Sequence, residues 1–218
     1  MQTYAIYIFD FDGTLTDTMS VWLGIFHDGL KRFGVEPPTD VTLAKHTHDW
    51  KEMLQLGLPA DQLEAFIEVA HTLANERLPE APLHTGALEM LQQLKDAGKR
   101  IGVFSTMDRA IFAPALKHQG LDRFAEVAIA GTDVANRKPA PDGIIKALTD
   151  MNIAPSDYSS AVYIGDKDTD VLAAHNAGIA GVLFYPPAHQ AVYSRTEFMK
   201  AKPDAVIEDW TALTEALR

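Results

Sequence analysis

The segment Asp10-Phe11-Asp12-Gly13-Thr14 closes an apolar, β-prone run over residues 4–11, and it constrains the fold more than any other feature of the chain. A short apolar run that stops at an Asp-Gly turn reads as a buried strand. Side chains two positions apart on a strand point to the same side, which places the Asp10 and Asp12 carboxylates together. Two such charges are tolerable where a cation or a proton sits between them.

Apolar runs at 100–105, 127–130, 161–164, 181–184 and 205–207 read as five further strands. Helical spacing fills the gaps at 86–98 and at about 107–119, 141–151, 168–177 and 209–217. Strands alternating with helices predict an α/β fold, a parallel sheet covered on both faces. Right-handed crossovers put the carboxyl ends of all strands on one edge, where ligands bind. Asp10, Ser105 and Asp166 each fall at such an end. Residues 18–84 break the alternation. They hold no convincing strand, and 20–33 and 61–78 read as amphipathic helices punctuated by prolines. The expected organisation is a core of 1–17 and 85–218 with an all-helical domain, 18–84, inserted after the first strand.

Composition removes several alternatives. Thirty acidic against nineteen basic residues give a net charge of −11, a surface that repels nucleic acid on average. The absence of cysteine excludes disulfides, thiolate catalysis and cysteine-bound zinc, and fits a reducing, cytoplasmic setting. The amino terminus lacks the pattern of a signal peptide, and no apolar run approaches the roughly 20 residues that span a bilayer.

A second acidic cluster, Gly165-Asp166-Lys167-Asp168-Thr169-Asp170, follows the strand at 161–164 and opens a helix. Asp166 and Asp170 are four apart and share a helical face, although acids at a helix start also serve the dipole. With Asp10 and Asp12 they make four carboxylates around one crevice, a set of hard oxygen ligands suited to Mg²⁺. Ser105 and Thr106 offer hydroxyls at another strand end, where they also suit a cap. The prolines of Lys138-Pro139-Ala140-Pro141-Asp142 stiffen the backbone that holds Lys138.

These segments, in this order, resemble the four motifs of the haloacid dehalogenase-like superfamily of phosphohydrolases, and the likeness runs essentially end to end. The insertion and Lys138-Pro-Ala-Pro-Asp are similar to the phosphoglycolate phosphatase and β-phosphoglucomutase branch. Only about 32 residues separate Thr106 from Lys138, which leaves no room for a second cap. The resemblance implies a Rossmann-like three-layer core and a helical cap. It implies Mg²⁺-dependent hydrolysis of a small phosphorylated metabolite through an aspartyl phosphate, by a monomer or homodimer. Asp10 would be the nucleophile and Asp12 the acid and base. Asp10, the Asp12 carbonyl and Asp166 would hold the metal, with Asp170 behind them. Ser105, Thr106 and Lys138 would grip the phosphoryl group. Lys167 departs from the serine frequent at its position in this branch.

In this branch the cap supplies substrate contacts, and Lys45, His46, His48, Trp50 and Lys51 are the candidates, Lys45, His48 and Lys51 foremost, with a solvated surface as the plainer reading. Trp22, Phe26 and Phe33 fall at near-helical spacing and read as cap core. Mutases of the branch carry a histidine in that part of the cap; Trp22 and Ser20 stand there instead. Two other readings are a sugar-phosphate mutase and a non-catalytic module that binds a phosphorylated ligand. The second has no use for both a nucleophile and an acid.

Overall fold

Each apolar run becomes a strand of one sheet. In the computed structural model, which describes residues 3–47 and 50–215, β1 (Ile6–Phe9), β2 (Arg100–Phe104), β3 (Val127–Ile129), β4 (Ala161–Gly165), β5 (Ala180–Phe184) and β6 (Ala205–Ile207) lie in the order β3-β2-β1-β4-β5-β6. Every neighbouring pair is parallel. β1 is central, with Ile8 opposite Gly102 on one side and Tyr163 on the other. The order of connection reverses between β1 and β4, and a crevice opens outside the carboxyl ends of strands at such a point.

The first strand ends at Phe9, two residues before the expected limit. The Phe11 carbonyl accepts from Leu15 N at 3.1 Å and from Thr16 N at 3.0 Å, so the chain turns as soon as Asp10 is placed. Beyond that turn come α1 (Met19–Arg32), α2 (Asp40–Ala44), a 3-10 segment at Trp50–Leu56 and α3 (Leu63–Arg77). Phe26 of α1 stacks on Phe66 of α3 at 6.4 Å. The close approach needs Gly29, because a Cβ there would lie 2.8 Å from the Phe66 ring. Arg77 bonds Asp28 at 2.6 Å across the same pair of helices. The 40–44 and 50–56 turns are too short to show a helical period in sequence.

The chain leaves and re-enters the sheet side by side. Thr16 and Leu83 form an antiparallel bridge. Asp17 N donates to Pro82 O at 2.7 Å and His84 N to Leu15 O at 3.0 Å.

Alternation along the strands feeds two cores. Tyr7, Phe9, Val103 and Ile164 pack with Leu91 and Leu94 of α4 (Ala87–Asp96) and Phe112 and Leu116 of α5 (Arg109–His118). Ile6, Ile8, Phe104 and Tyr163 pack on the other face with Ile144 and Leu148 of α6 (Asp142–Asp150) and Ala173 and Ala174 of α7 (Asp168–Asn176). The result is the expected three-layer, Rossmann-like α/β core. Residues 187–201, which carry no readable period, fold into α8 (Pro187–Gln190), α9 (Arg195–Phe198) and a short 3-10 turn. The last helix, expected over about 209–217, is α10 (Thr211–Glu215); residues 216 and 217 lie outside the described residues. Among the described residues no helix is long and apolar enough to cross a membrane.

Candidate active site

β1 and β4 deliver their carboxylates to the crevice. Asp10 follows β1 directly, and its backbone N continues the ladder to Ile164 O at 2.8 Å. Asp166 follows β4. The two loops interlock at Gly13, where φ is +83° and a Cβ would stand 2.6 Å from Asp166 Oδ2. Glycine is thus required both by the left-handed backbone and by the space. Gly165 has the matching role for Asp170, since a Cβ there would overlap the Asp170 carboxyl carbon.

Lys138 ties the acids together. Its Nζ lies 2.9 Å from Asp10 Oδ1 and 2.6 Å from Asp170 Oδ1, and it donates to the Tyr163 hydroxyl at 3.0 Å. Asp170 Oδ2 accepts from Lys167 N at 2.9 Å, which closes the first turn of α7. Asp10, Asp166 and Asp170 are all buried, and one oxygen from each lies within 4.8 Å of the others. Burial raises the Asp10 pKa to about 7, with Lys138 pulling down and Asp170 pushing up. Burial likewise holds Asp166 well above the carboxylate range. Burial alone would lower Lys138, but the Asp10 and Asp170 charges outweigh it and keep Lys138 well above its ordinary value.

These three residues fit a divalent cation. The donors are all carboxylate oxygens, the set that hard cations prefer. The buried Asp10 Oδ1 has no aligned hydrogen-bond donor among the protein groups, because Lys138 approaches it as an ion pair only. A cation would favour the charged forms of Asp10 and Asp166, which burial opposes.

The Asp12 carboxylate is turned away from this group. It accepts from Trp22 Nε1 at 2.9 and 2.8 Å, one bond to each oxygen, and from Thr18 Oγ1. Burial raises its pKa against the pull of Thr18, Lys167 and Trp22. Trp22 therefore reaches from α1 to the motif itself, a contact that the reading of Trp22 as cap core did not include. A tryptophan with a buried N–H needs an acceptor; that was the available signal.

Of the two hydroxyl residues after β2, Thr106 lines the cleft. Ser105 is fully buried, with its Oγ accepting from Met107 N at 3.1 Å. Lys167 lines the cleft beside Asp166 and Asp12, and its Nζ lies 5.9 Å from the Tyr193 ring centre. Lys45 and Lys51 are exposed and are not among the residues lining the cleft, so the structure does not bring these expected cap cations to the site. Both sit on short, solvent-facing turns of the insertion. His48 lies outside the described residues. Tyr193 and His189 reach the site from the segment after β5. His189 is fully buried 3.6 Å from Asp166 Oδ2, and burial, with His84 and Lys167 adding, lowers its pKa to about 3. Nothing in the sequence around either residue signals this placement.

The chain matches the family model described as haloacid dehalogenase-like hydrolase over residues 7–184. It is 28% identical to a phosphoglycolate phosphatase of Agrobacterium fabrum, over 96% of this chain and 91% of that one. It is 30% identical to a validoxylamine A 7'-phosphate phosphatase of Streptomyces hygroscopicus subsp. limoneus, over 81% and 83%. Among solved structures, a haloacid dehalogenase-like hydrolase from Bacteroides fragilis superposes with a TM-score of 0.81 at 28% identity, over 97% of this chain and all of that one.

Proposed function

Because the chain belongs to the haloacid dehalogenase-like hydrolases, we propose that it is a magnesium-dependent phosphatase that hydrolyses a small phosphate monoester through an aspartyl phosphate on Asp10. The observation that carries this reading is the Asp10 carboxylate. It is buried at the end of the central strand, 2.9 Å from an ammonium group, with one oxygen that no aligned donor occupies. The ammonium fixes that buried oxygen and so orients the carboxylate of a residue that lines the cleft where a phosphoryl group would sit.

In the first step an Asp10 oxygen bonds to phosphorus, the bond from phosphorus to the leaving oxygen breaks, and Asp12 gives that oxygen its proton. In the second, Asp12 takes a proton from water as the water oxygen attacks phosphorus. The bond to Asp10 then breaks and inorganic phosphate leaves. Lys138 balances charge on the transferring group. Thr106 donates from the cleft wall. Ser105, whose oxygen already accepts from Met107, keeps its own proton to donate. Asp10, Asp166 and the Asp12 carbonyl would hold Mg²⁺, with Asp170 supporting them, and a bound Mg²⁺ would supply positive charge against the phosphoryl oxygens. Residues 1–17 and 85–218 form the catalytic core in this reading, and 18–84 form the cap that covers it.

The test is hydrolysis of acetyl phosphate and of alkyl phosphates, with and without chelator, by wild type and by Asp10→Asn. Turnover should fall to background on chelation and in the folded Asp10→Asn variant. Full-rate hydrolysis under either condition overturns the reading.

A further inference from the structure

The cleft has two unlike halves. Its base holds the carboxylates, Lys138 and Lys167. The insertion adds mainly apolar and aromatic residues to the lining, among them Trp22, Leu23, Phe26 and Trp50, next to Ile111 of α5. Trp50 is fixed at the centre of this cluster. Its ring lies 5.5 Å from Phe26, 5.4 Å from His71 and 6.3 Å from Trp22. Phe66 packs on the same ring at 6.3 Å, and Trp50 still lines the cleft, so a substrate ring can meet this cluster.

Charge is distributed just as unevenly. Four carboxylates in the base (Asp10, Asp12, Asp166 and Asp170) stand against two ammonium groups, those of Lys138 and Lys167. With Asp12 protonated for its acid role, one divalent cation leaves that set with a single positive charge, so a phosphoryl dianion already makes the cleft negative. Lys138 is committed to Asp10 and Asp170. Lys167 stands among Asp166, Asp12 and Asp170, and the third lining cation, Arg137, is held by Asp108 at 2.9 Å. Among the described residues the insertion adds no lysine or arginine to the lining. A second anionic group on the substrate would therefore add to an existing excess of negative charge in the cleft, which is unfavourable.

Volume points the same way. The cavity measures about 580 Å³, within the roughly 300–1,000 Å³ of sites that enclose drug-sized ligands. A two-carbon acid leaves most of it unfilled, whereas a ring against Trp50 buries apolar area on both partners.

From these three observations we infer that the substrate is the phosphate ester of an uncharged, ring-bearing alcohol, and that the cleft discriminates against a second anion such as a carboxylate or phosphate. This rests on the phosphatase reading and names the substrate class of the same site.

The experiment compares ethyl phosphate, benzyl phosphate and phosphoglycolate, three esters with similar primary alkoxide leaving groups. Acetyl phosphate serves as the ring-free substrate that reports phosphoryl transfer alone. Wild type should show kcat/KM for benzyl phosphate at least about tenfold above both other esters. Trp50→Leu should remove most of the benzyl-over-ethyl advantage, and Trp50→Phe should restore part of it. Benzylphosphonate should quench tryptophan fluorescence at lower concentration than 3-phosphonopropionate, a readout independent of turnover. Phosphoglycolate turned over as well as benzyl phosphate, or a benzyl advantage that survives Trp50→Leu in folded protein, overturns the inference. Failure to hydrolyse acetyl phosphate and all three esters sinks the phosphatase reading itself.

Discussion

A carboxylate that accepts hydrogen bonds at both oxygens is stabilised as the anion, while burial favours its neutral form. Asp12 is held between these pressures by Trp22, Thr18 and its own position under the insertion. If Asp12 protonates the leaving oxygen, Asp12→Ala slows alkyl phosphates far more than acetyl phosphate, whose leaving group needs little protonation. Equal losses on the two substrates would remove the acid role. Trp22→Phe keeps a ring but deletes the donor. It should act in the same direction and more weakly, by about tenfold, as expected for one hydrogen bond to a charged group. A selective loss on acetyl phosphate would show that Trp22 acts elsewhere. Asp10 and Asp12 are legible in the sequence because strand alternation and turn chemistry both point at them. Trp22 is not, since a helix face that packs a cap and a helix face that reaches a carboxylate have the same spacing. Lys45 and Lys51 suggested a cleft because they are cations in the inserted segment, but a sequence does not say which side of a short turn faces inward.

At the level of elements, the site is two strand-end loops locked by glycines. Gly13→Ala must accommodate both a φ of +83° and a Cβ 2.6 Å from Asp166 Oδ2. The left-handed backbone alone costs about 1–2 kcal/mol, and the displaced Asp166 should weaken Mg²⁺ binding as well. Thermal denaturation and calorimetric titration with Mg²⁺ check the two effects separately. Unchanged metal affinity would show that Asp166 does not depend on this contact. All six strands and the longer helices between them are readable, because burial on both faces makes parallel strands nearly continuous apolar runs. The elements that were not readable are shorter than two helical turns. Among them is α8, which carries His189 to Asp166 with no pattern to announce it.

Across the whole molecule, the buried acids link stability to pH. Asp10 has a pKa raised to about 7, so the metal-free fold gains stability from the protonated group below the ordinary carboxylate range. It loses that gain as pH rises through 7. Mg²⁺ would bind the deprotonated group. Its stabilisation should therefore be larger at pH 8 than at pH 5.5, read as the rise in Tm on adding Mg²⁺. An equal rise at both pH values would separate the cation from Asp10. The paired strands at Thr16 and Leu83 bear on a longer timescale. Because the outgoing and returning chains are already joined where they cross, everything beyond that seam hangs from the sheet as a closed loop. Recombination with both breakpoints at the seam can exchange one such loop for another while the turn that carries Asp10 and Asp12 keeps its register. If the insertion selects the substrate, as proposed, a lineage built this way can try new substrates by swapping a cassette and need not rework its chemistry each time.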